Sequence, residues 1–251
     1  SEIEEACFAI RQSVDKYNRG NSVFTLSVSV GFSYHGDYDA DIASLLKDAD
    51  NQMYRQKLHR KQLVQINLVQ NLTKTLVDRD IITEERINKL QDLYILFALE
   101  CGISQDNLAD LRLLVRFHDI GKIGISEQVL FPRGPLTTEQ RKEKQRHCEI
   151  GYRIARSSDE LIPIADWILK HHEWWNGEGY PLGLKRGDIP LECRILAIVV
   201  AYDAMISDRP HRQAKSSESA IEEIKCCAGI QFDPVLVEKF INIIGKYGFK
   251  I

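Results

Sequence analysis

The sequence predicts a mainly α-helical protein, in which an all-α domain follows a small α/β fragment and a long connecting helix. Three observations lead to this fold class. Residues 41–77 contain neither proline nor glycine and place apolar side chains at steps of three to four residues. The helical pattern then continues as far as Tyr247, and no strand periodicity follows residue 33. We therefore expect two domains, one over residues 1–61 and one over residues 62–251.

The N-terminal fragment is predicted to contain a helix over residues 1–18 and a strand over Ser22–Ser33. In the strand, β-branched and aromatic residues alternate with others. A strand without partners exposes its backbone groups, so we expect disorder, pairing with another molecule or a non-native packing there. The basic and polar stretch Arg55–Gln62 predicts a solvated connector within the long helix.

Capping residues and apolar periodicity predict the helices of the second domain. They are expected at Leu108–Phe117 after Ser104 or Asp106, at Glu139–Arg156 after Thr137 or Thr138, at Leu161–His172 after Asp159, and at Leu191–Ser207, Ser216–Cys227 and Pro234–Tyr247.

Composition restricts the functional classes. A net charge of −3 offers no overall attraction to nucleic acid or to an anionic membrane, so any phosphate recognition must come from a local basic cluster. The six cysteines form no C-x-x-C pair, and neither a signal peptide nor a long apolar span is seen, which predicts a cytoplasmic location. Cys148 follows a histidine, but neighbouring helix positions point in different directions, so we expect a buried thiol rather than a metal ligand.

Histidine and aspartate residues recur in a pattern typical of metal ligands. A nitrogen and oxygen donor set without thiolate suits iron, manganese, nickel or zinc. Taken singly, the same residues could be buried hydrogen-bonded partners or surface histidines, but five of them in short blocks favour a metal. The candidate metal ligands are His118, Asp119, His147, His171 and His172.

These blocks resemble the HD-GYP family, a branch of the HD phosphohydrolase superfamily whose members typically hydrolyse the bacterial second messenger cyclic di-GMP. The resemblance extends over about Leu76–Ile244 and implies an all-α metal-dependent phosphohydrolase. It rests on His118-Asp119-Ile120-Gly121-Lys122, His147-x-x-Ile150-Gly151, His171-His172-Glu173 through Gly179-Tyr180-Pro181, Asp203-Ala204-Met205 and Gln231-Phe232-Asp233-Pro234.

The N-terminal fragment is similar to the closing third of a GGDEF diguanylate cyclase domain. Leu26–Phe32 resembles the late strand of that domain, and Leu46–Tyr54 resembles its final helix. The signature loop of the cyclase is absent from this sequence, so the resemblance implies no cyclase activity.

The family resemblance also implies that one half of a two-metal site is missing. Asp119, His147, His171 and His172 match the ligands of one metal. An early histidine and a late aspartate of the other metal align with Arg86 and Val200. A single divalent ion, iron or manganese ahead of zinc or nickel, is therefore expected, unless Glu84, Glu85 or Asp203 supplies substitute oxygens. Arg86 is expected to pair with Asp119 or with a substrate phosphate.

Further site residues follow from the resemblance. Lys122 and Asp203 are the catalytic candidates, with Lys122 as a phosphate contact or proton donor rather than a solvated charge. Tyr180, Arg209 and Arg212 are expected to bind substrate, although the two arginines taken alone would be surface charges. Trp174 and Trp175 fit either stacking on guanine or burial in the core.

Two main functions fit these residues. The first is a cyclic di-GMP phosphodiesterase with reduced or lost activity. The second is an inactive module that binds a nucleotide or signals as a homodimer through the long helix. A weaker third is hydrolysis of another phosphorylated metabolite. No nucleic-acid partner and no membrane segment are expected.

Overall fold

Helix-forming segments account for most of the described chain. The computed structural model describes residues 2–20, 26–34, 41–55, 57, 83–132, 134–208 and 213–248, and it divides the chain into two compact units, residues 1–69 and 70–251. No helix of the described residues is both long and apolar enough to cross a membrane.

The first unit contains helix α1 (Glu2–Gly20) and helix α2 (residues 42–55). The helix predicted over residues 1–18 is therefore confirmed. Of the long helix predicted over residues 41–77, the part at residues 42–55 and 57 is confirmed, and residues 56 and 58–77 lie outside the description.

The predicted strand at Ser22–Ser33 is wrong over residues 26–34, which form no strand, and residues 22–25 lie outside the description. Side chains of the flanking helices instead bond to the backbone of two of its residues. Both backbone groups of Leu26 bond to the Asn18 side-chain amide, at 2.8 and 2.9 Å, and the Phe32 amide donates to Gln52 Oε1 at 2.7 Å. At these two residues a side chain takes the place of a neighbouring strand, and no α/β fragment is observed in the described residues.

The second unit is helical, as predicted, and its described residues contain no strand beyond one isolated bridge between Ala228 and Phe232. Its helices are α3 (Glu84–Glu100), α4 (Leu108–Phe117), α5 (Glu127–Leu130), α6 (Thr138–Gln145), α7 (His147–Arg156), α8 (Ala165–Lys170), α9 (Leu191–Ile206), α10 (Ser217–Cys226) and α11 (Pro234–Tyr247). Short 3-10 turns lie at Gln105–Asn107, Ile120–Gly124, Ile162–Ile164 and Arg186–Asp188.

Two predicted helices are interrupted, and both interruptions lie beside a candidate ligand. The helix predicted over Glu139–Arg156 ends at Gln145 and resumes at His147, with Thr137 forming a capping box at its start. The helix predicted over Leu161–His172 begins as the 3-10 turn Ile162–Ile164, which contains Pro163, and it ends at Lys170. Histidines 171 and 172 therefore follow a helix rather than lying within it.

The core of the second unit forms where α3, α4 and α9 pack together. Aromatic rings from α3, α9 and α11 meet there, with ring centroids 5.2 to 5.4 Å apart. Each fully buried large apolar side chain stabilises the fold by about 1.5–3 kcal/mol. The largest are Tyr94, Phe97, Phe117, Leu93, Leu111, Leu114, Tyr202 and Phe240.

Close backbone contact brings the 3-10 turn Ile120–Gly124 against α7, and it depends on Gly121. A Cβ added at Gly121 would lie 2.8 Å from the carbonyl carbon of His147 and 2.5 Å from the amide nitrogen of Gly151. No side chain fits between these two backbones. Asp119 and His147 can therefore approach each other only while position 121 is glycine.

Gly121→Ala is expected to lower the free energy of unfolding by about 3 kcal/mol, because the new methyl group forces the two backbones apart. The matched control is Gly245→Ala, at an exposed position inside α11 where an added Cβ meets nothing within 4 Å. That change is expected to stabilise the helix by about 0.5–1 kcal/mol. Urea unfolding measures both, and equal effects of the two changes would contradict the prediction.

Candidate metal centre

Three elements of the second unit bring four candidate ligands together. Asp119 follows α4 and begins the 3-10 turn, His147 begins α7, and two histidines follow α8. Each residue offers one ligand atom, and these atoms all lie within 4.8 Å of one another. We call Asp119, His147, His171 and His172 the His/Asp cluster.

Backbone carbonyls orient two of the imidazoles. Nδ1 of His147 lies 2.6 Å from the Lys144 carbonyl oxygen, and Nδ1 of His171 lies 2.6 Å from the Ile168 carbonyl oxygen. A carbonyl oxygen only accepts, so each Nδ1 carries the proton and each Nε2 of the neutral ring presents a lone pair. These two Nε2 atoms are 3.4 Å apart. Two lone pairs at this distance repel unless a cation lies between them.

The Asp119 carboxylate places a further acceptor atom beside the two Nε2 atoms. Its Oδ1 lies 3.4 Å from His147 Nε2 and 3.9 Å from His171 Nε2, and within the described chain this buried oxygen accepts no hydrogen bond. Its Oδ2 accepts from the Lys122 ammonium and lies 3.5 Å from His118 Nε2. An unpaired buried oxygen facing imidazole lone pairs fits a divalent metal ion, and so does the donor set of one carboxylate and three imidazoles.

Burial sets the protonation of the cluster. It lowers the pKa of His172 to about 3, and it lowers the pKa of His147 and, far more strongly, that of His171. Burial alone would raise the pKa of Asp119, but the Lys122 ammonium beside it holds that pKa well below its usual value. The cluster is therefore neutral at its rings and anionic at its carboxylate, the state that metal ligation requires.

The metal-free protein is expected to lose stability as the pH falls below 6.5. A lowered histidine pKa means that the unfolded chain takes up a proton between about pH 3 and 6.5 while the folded chain does not. For His172 alone, the free energy of unfolding should fall by about 2 kcal/mol between pH 7.5 and pH 5. His147 and His171 act in the same direction.

Urea unfolding in the presence of a chelator, followed by tryptophan fluorescence, measures this loss. All three tryptophans belong to the second unit, so the signal reports on the domain that holds the cluster. His172→Gln cannot protonate and should show a correspondingly weaker pH dependence. A stability that is flat from pH 7.5 to pH 5 would contradict the prediction.

The structure also locates the other predicted metal and substrate residues. His118 is buried outside the His/Asp cluster, with Nδ1 2.9 Å from the Val115 carbonyl oxygen and its ring centroid 5.5 Å from that of His171. The Tyr180 ring stacks on His172 with the centroids 4.9 Å apart, and burial raises the pKa of its hydroxyl. Arg209 and Arg212 lie outside the described residues.

Glu173 holds the loop that carries Tyr180, a role that the sequence did not suggest. Its buried carboxylate accepts from the amides of Leu182 at 2.7 Å and Leu184 at 2.8 Å. Gly179 passes so close to Glu173 that an added Cβ would lie 2.6 Å from the Glu173 Cα. An acidic residue directly before a glycine-rich loop is the signal that could have indicated this anchor.

Arg86 pairs with Asp203 and not with Asp119, so the expected Arg86–Asp119 pair is not observed. The Arg86 guanidinium donates through Nε at 2.9 Å and through its terminal nitrogen to Asp203 Oδ2. Ser207 donates to the same carboxylate at 3.3 Å, and the Asp203 side chain is only 3% exposed. Val200 is half-buried.

The residues considered as substitute oxygen ligands are all engaged elsewhere. Glu84 pairs with Arg116 at 2.9 Å, and Glu85 pairs with Lys89 at 3.1 Å on the surface. Asp203 is held by Arg86. Within the described residues, the His/Asp cluster is the one group of three or more metal-binding side chains that converge.

Cys148 is a buried thiol, as predicted. It is fully buried, its Sγ lies 3.6 Å from His147 Nε2, and burial raises its pKa. A thiol that keeps its proton is a poor ligand, which agrees with a metal site of nitrogen and oxygen atoms.

Comparison with known proteins identifies relatives. A cyclic di-GMP phosphodiesterase of Thermotoga maritima is 36% identical over 167 residues, which are 66% of this chain and 45% of that protein. The cyclic di-GMP phosphodiesterase response regulator RpfG of Xanthomonas campestris pv. campestris is 32% identical over 173 residues, which are 68% of this chain and 46% of that protein. The chain thus spans less than half the length of these relatives.

A solved structure and a family model extend the comparison. The crystal structure of a cyclic GMP-AMP specific phosphodiesterase of Vibrio cholerae matches with a TM-score of 0.53 at 22% identity, over 70% of this chain and 48% of that one, which shows a shared fold. The model of the HD domain family matches residues 64–236. Because this match covers more than half of the 251 residues and includes the whole His/Asp cluster, the chain belongs to the HD domain family.

Proposed function

We propose that this chain is an HD-GYP-type metal-dependent phosphohydrolase domain of cyclic di-GMP signalling, with reduced or lost phosphodiester hydrolysis. The observation that carries the proposal is the His/Asp cluster, whose four ligand atoms lie within 4.8 Å of one another. Its relatives at 36% and 32% identity are cyclic di-GMP phosphodiesterases, which supports this nucleotide as the substrate.

The His/Asp cluster would hold one divalent ion, iron or manganese ahead of zinc or nickel, which supplies activation of water for attack on phosphorus. Lys122 donates to Asp119 and is half-buried, so its ammonium can contact a substrate phosphate or hand a proton to the leaving oxygen. Tyr180 stacks on His172, where its ring would flank a bound nucleotide. Arg209 and Arg212 remain proposed phosphate contacts on the resemblance alone.

We propose further that the second metal of the family is absent and that Arg86 stands in its place. The bidentate pair between Arg86 and Asp203 supports this. A guanidinium has no lone pair for a metal, and here it pairs with the Asp203 carboxylate, which could otherwise be a ligand. Asp203 would then act by positioning Arg86 and not as a ligand. His118 would orient Asp119, since the Nε2 atom of His118 lies 3.5 Å from Asp119 Oδ2.

Hydrolysis is tested with purified protein loaded with iron or manganese and supplied with cyclic di-GMP. We expect slow linearisation that disappears in His172→Ala. Cyclic GMP-AMP, offered in parallel, tests for a related substrate. The absence of hydrolysis with any divalent metal, together with binding of cyclic di-GMP, would instead favour the second candidate, a nucleotide-binding module. The Arg86–Asp203 pair favours that candidate, because it occupies the Asp203 carboxylate, which could otherwise be a metal ligand.

The number of metals is tested by metal analysis. One equivalent is expected for the unaltered protein, and a second for Arg86→His combined with Val200→Asp, which restores an imidazole and a carboxylate to the aligned positions. Two equivalents in the unaltered protein would contradict the missing half-site.

The remaining proposals concern the whole protein. We propose that residues 1–61 derive from a GGDEF-like domain, on the sequence resemblance alone, and that residues 62–251 form the HD-GYP-like domain. We also propose a cytoplasmic location and a homodimer formed through the long helix. Light scattering of the full chain and of a variant with Leu63 and Ile66 changed to lysine tests the dimer.

A further inference from the structure

A cavity lies on the loop that carries Tyr180, and the residues that line it do not belong to the His/Asp cluster. Its volume is about 400 Å³, within the range of cavities that hold small molecules. Its lining comprises Trp175, Asn176, Lys185, Arg186 and Gly229. Two cationic side chains and an indole ring thus share one concave surface.

The two cations are held in place by the loop backbone. Gly177 has a φ of +87°, and a Cβ added there would lie 2.9 Å from Lys185 Cδ, so the aliphatic chain of Lys185 lies directly over this glycine. Arg186 has a φ of +49°, which is rare for a residue with a side chain. Its amide donates to the Trp175 carbonyl at 3.0 Å, which ties the backbone of Arg186 to that of Trp175.

Neither cation is neutralised within the described chain. Lys185 and Arg186 form no ion pair there and are exposed, whereas the neighbouring Arg194 is engaged by Asp233 at 2.8 Å and lies 5.8 Å from the Trp175 ring centroid. Glu178 accepts a hydrogen bond from the Asn176 side-chain amide at 2.9 Å and is not among the residues that line the cavity. The residues that line the cavity therefore carry net positive charge beside Trp175.

Rigid walls complete the cavity. The Trp175 amide donates to the Gln231 carbonyl at 3.1 Å, and the Asn176 amide donates to the Ile230 carbonyl at 2.9 Å. These bonds fasten the loop to the turn before α11. A ligand here would meet preformed groups and would not have to order them, which favours binding.

We propose that this cavity binds a nucleoside phosphate, with the phosphate at Lys185 and Arg186 and the base against Trp175. A phosphate alone would need only the cations, and a base alone only the indole, so their juxtaposition selects a ligand that carries both. The loop that lines the cavity also carries Tyr180, and Glu173 anchors this loop through the amides of Leu182 and Leu184.

Calorimetric titration of guanosine monophosphate into the full chain, with a chelator present to keep metal from the His/Asp cluster, tests the proposal. Binding tighter than a dissociation constant of about 1 mM is expected. Lys185→Ala and Arg186→Gly should each weaken it at least about ten-fold. Arg186→Gly suits the positive φ, so it removes the cation without destabilising the fold, and a thermal melt confirms this. Arg141→Ala, an exposed cation on α6, is the matched control.

Three outcomes would overturn the proposal. Equal binding of guanosine and guanosine monophosphate would remove the role of the cations, and equal binding of inorganic phosphate would remove the role of the indole. Loss of binding in His172→Ala would move the nucleotide to the His/Asp cluster. Because the titration uses no metal and no turnover, a failure of the proposed hydrolysis leaves this result unaffected.

Discussion

The Asp119→Asn variant is expected to bind divalent metal at least about 100-fold more weakly than the unaltered protein and to lose any hydrolysis of cyclic di-GMP. Asp119 is the one carboxylate of the His/Asp cluster, and its Oδ1 faces the Nε2 atoms of two histidines. Asparagine keeps the shape and removes the charge. Its amide group can also donate to an imidazole lone pair, which replaces an acceptor with a donor where a cation must sit.

Metal analysis and calorimetry measure the affinity, and a thermal melt of the metal-free variant separates binding from folding. The metal-free variant should still melt in one cooperative transition, at a temperature below that of the metal-free parent, because the Lys122 ammonium loses its anionic partner and the carboxylate whose pKa is held low is gone. The control is Asp166→Asn, an exposed carboxylate paired with Lys170 at 2.8 Å. An unchanged metal affinity in Asp119→Asn would show that the cluster is not the metal site.

Arg86→Met is expected to lower the free energy of unfolding by about 3–5 kcal/mol, because it leaves the buried Asp203 carboxylate without its counter-ion. Asp203 lies 117 residues away in sequence and is only 3% exposed, so water cannot replace the guanidinium. Adding Asp203→Leu to Arg86→Met should recover much of the loss, since the uncompensated charge is then removed as well.

A second arginine provides the matched comparison. Arg116 forms the same kind of bidentate pair with Glu84, at 2.9 and 3.1 Å, but that carboxylate is 51% exposed. Arg116→Met should therefore cost less than about 1 kcal/mol. Urea unfolding followed by tryptophan fluorescence compares the two variants. Equal costs would mean that burial of Asp203 contributes nothing, and the proposed replacement of a metal by Arg86 would lose its structural support.

Much of the fold follows from local patterns. Helices α4, α9, α10 and α11 were predicted within one or two residues, because their apolar periodicity and capping residues are properties of the segment itself. The strand predicted at Ser22–Ser33 is not observed over residues 26–33, because whether such a segment pairs depends on neighbours elsewhere in the chain. Here the side chains of Asn18 and Gln52 bond to the backbone of Leu26 and Phe32.

The sequence by itself determined which residues are candidate metal ligands, because an imidazole or a carboxylate has lone pairs for a metal whatever the fold. Only the tertiary structure decided which of them converge. It left His118 outside the His/Asp cluster, and it directed Arg86 to Asp203 instead of Asp119. It also assembled a cationic cavity around Trp175. The reason is physical: ligation and ion pairing depend on distances of a few ångströms between residues far apart in the chain, and packing alone sets those distances.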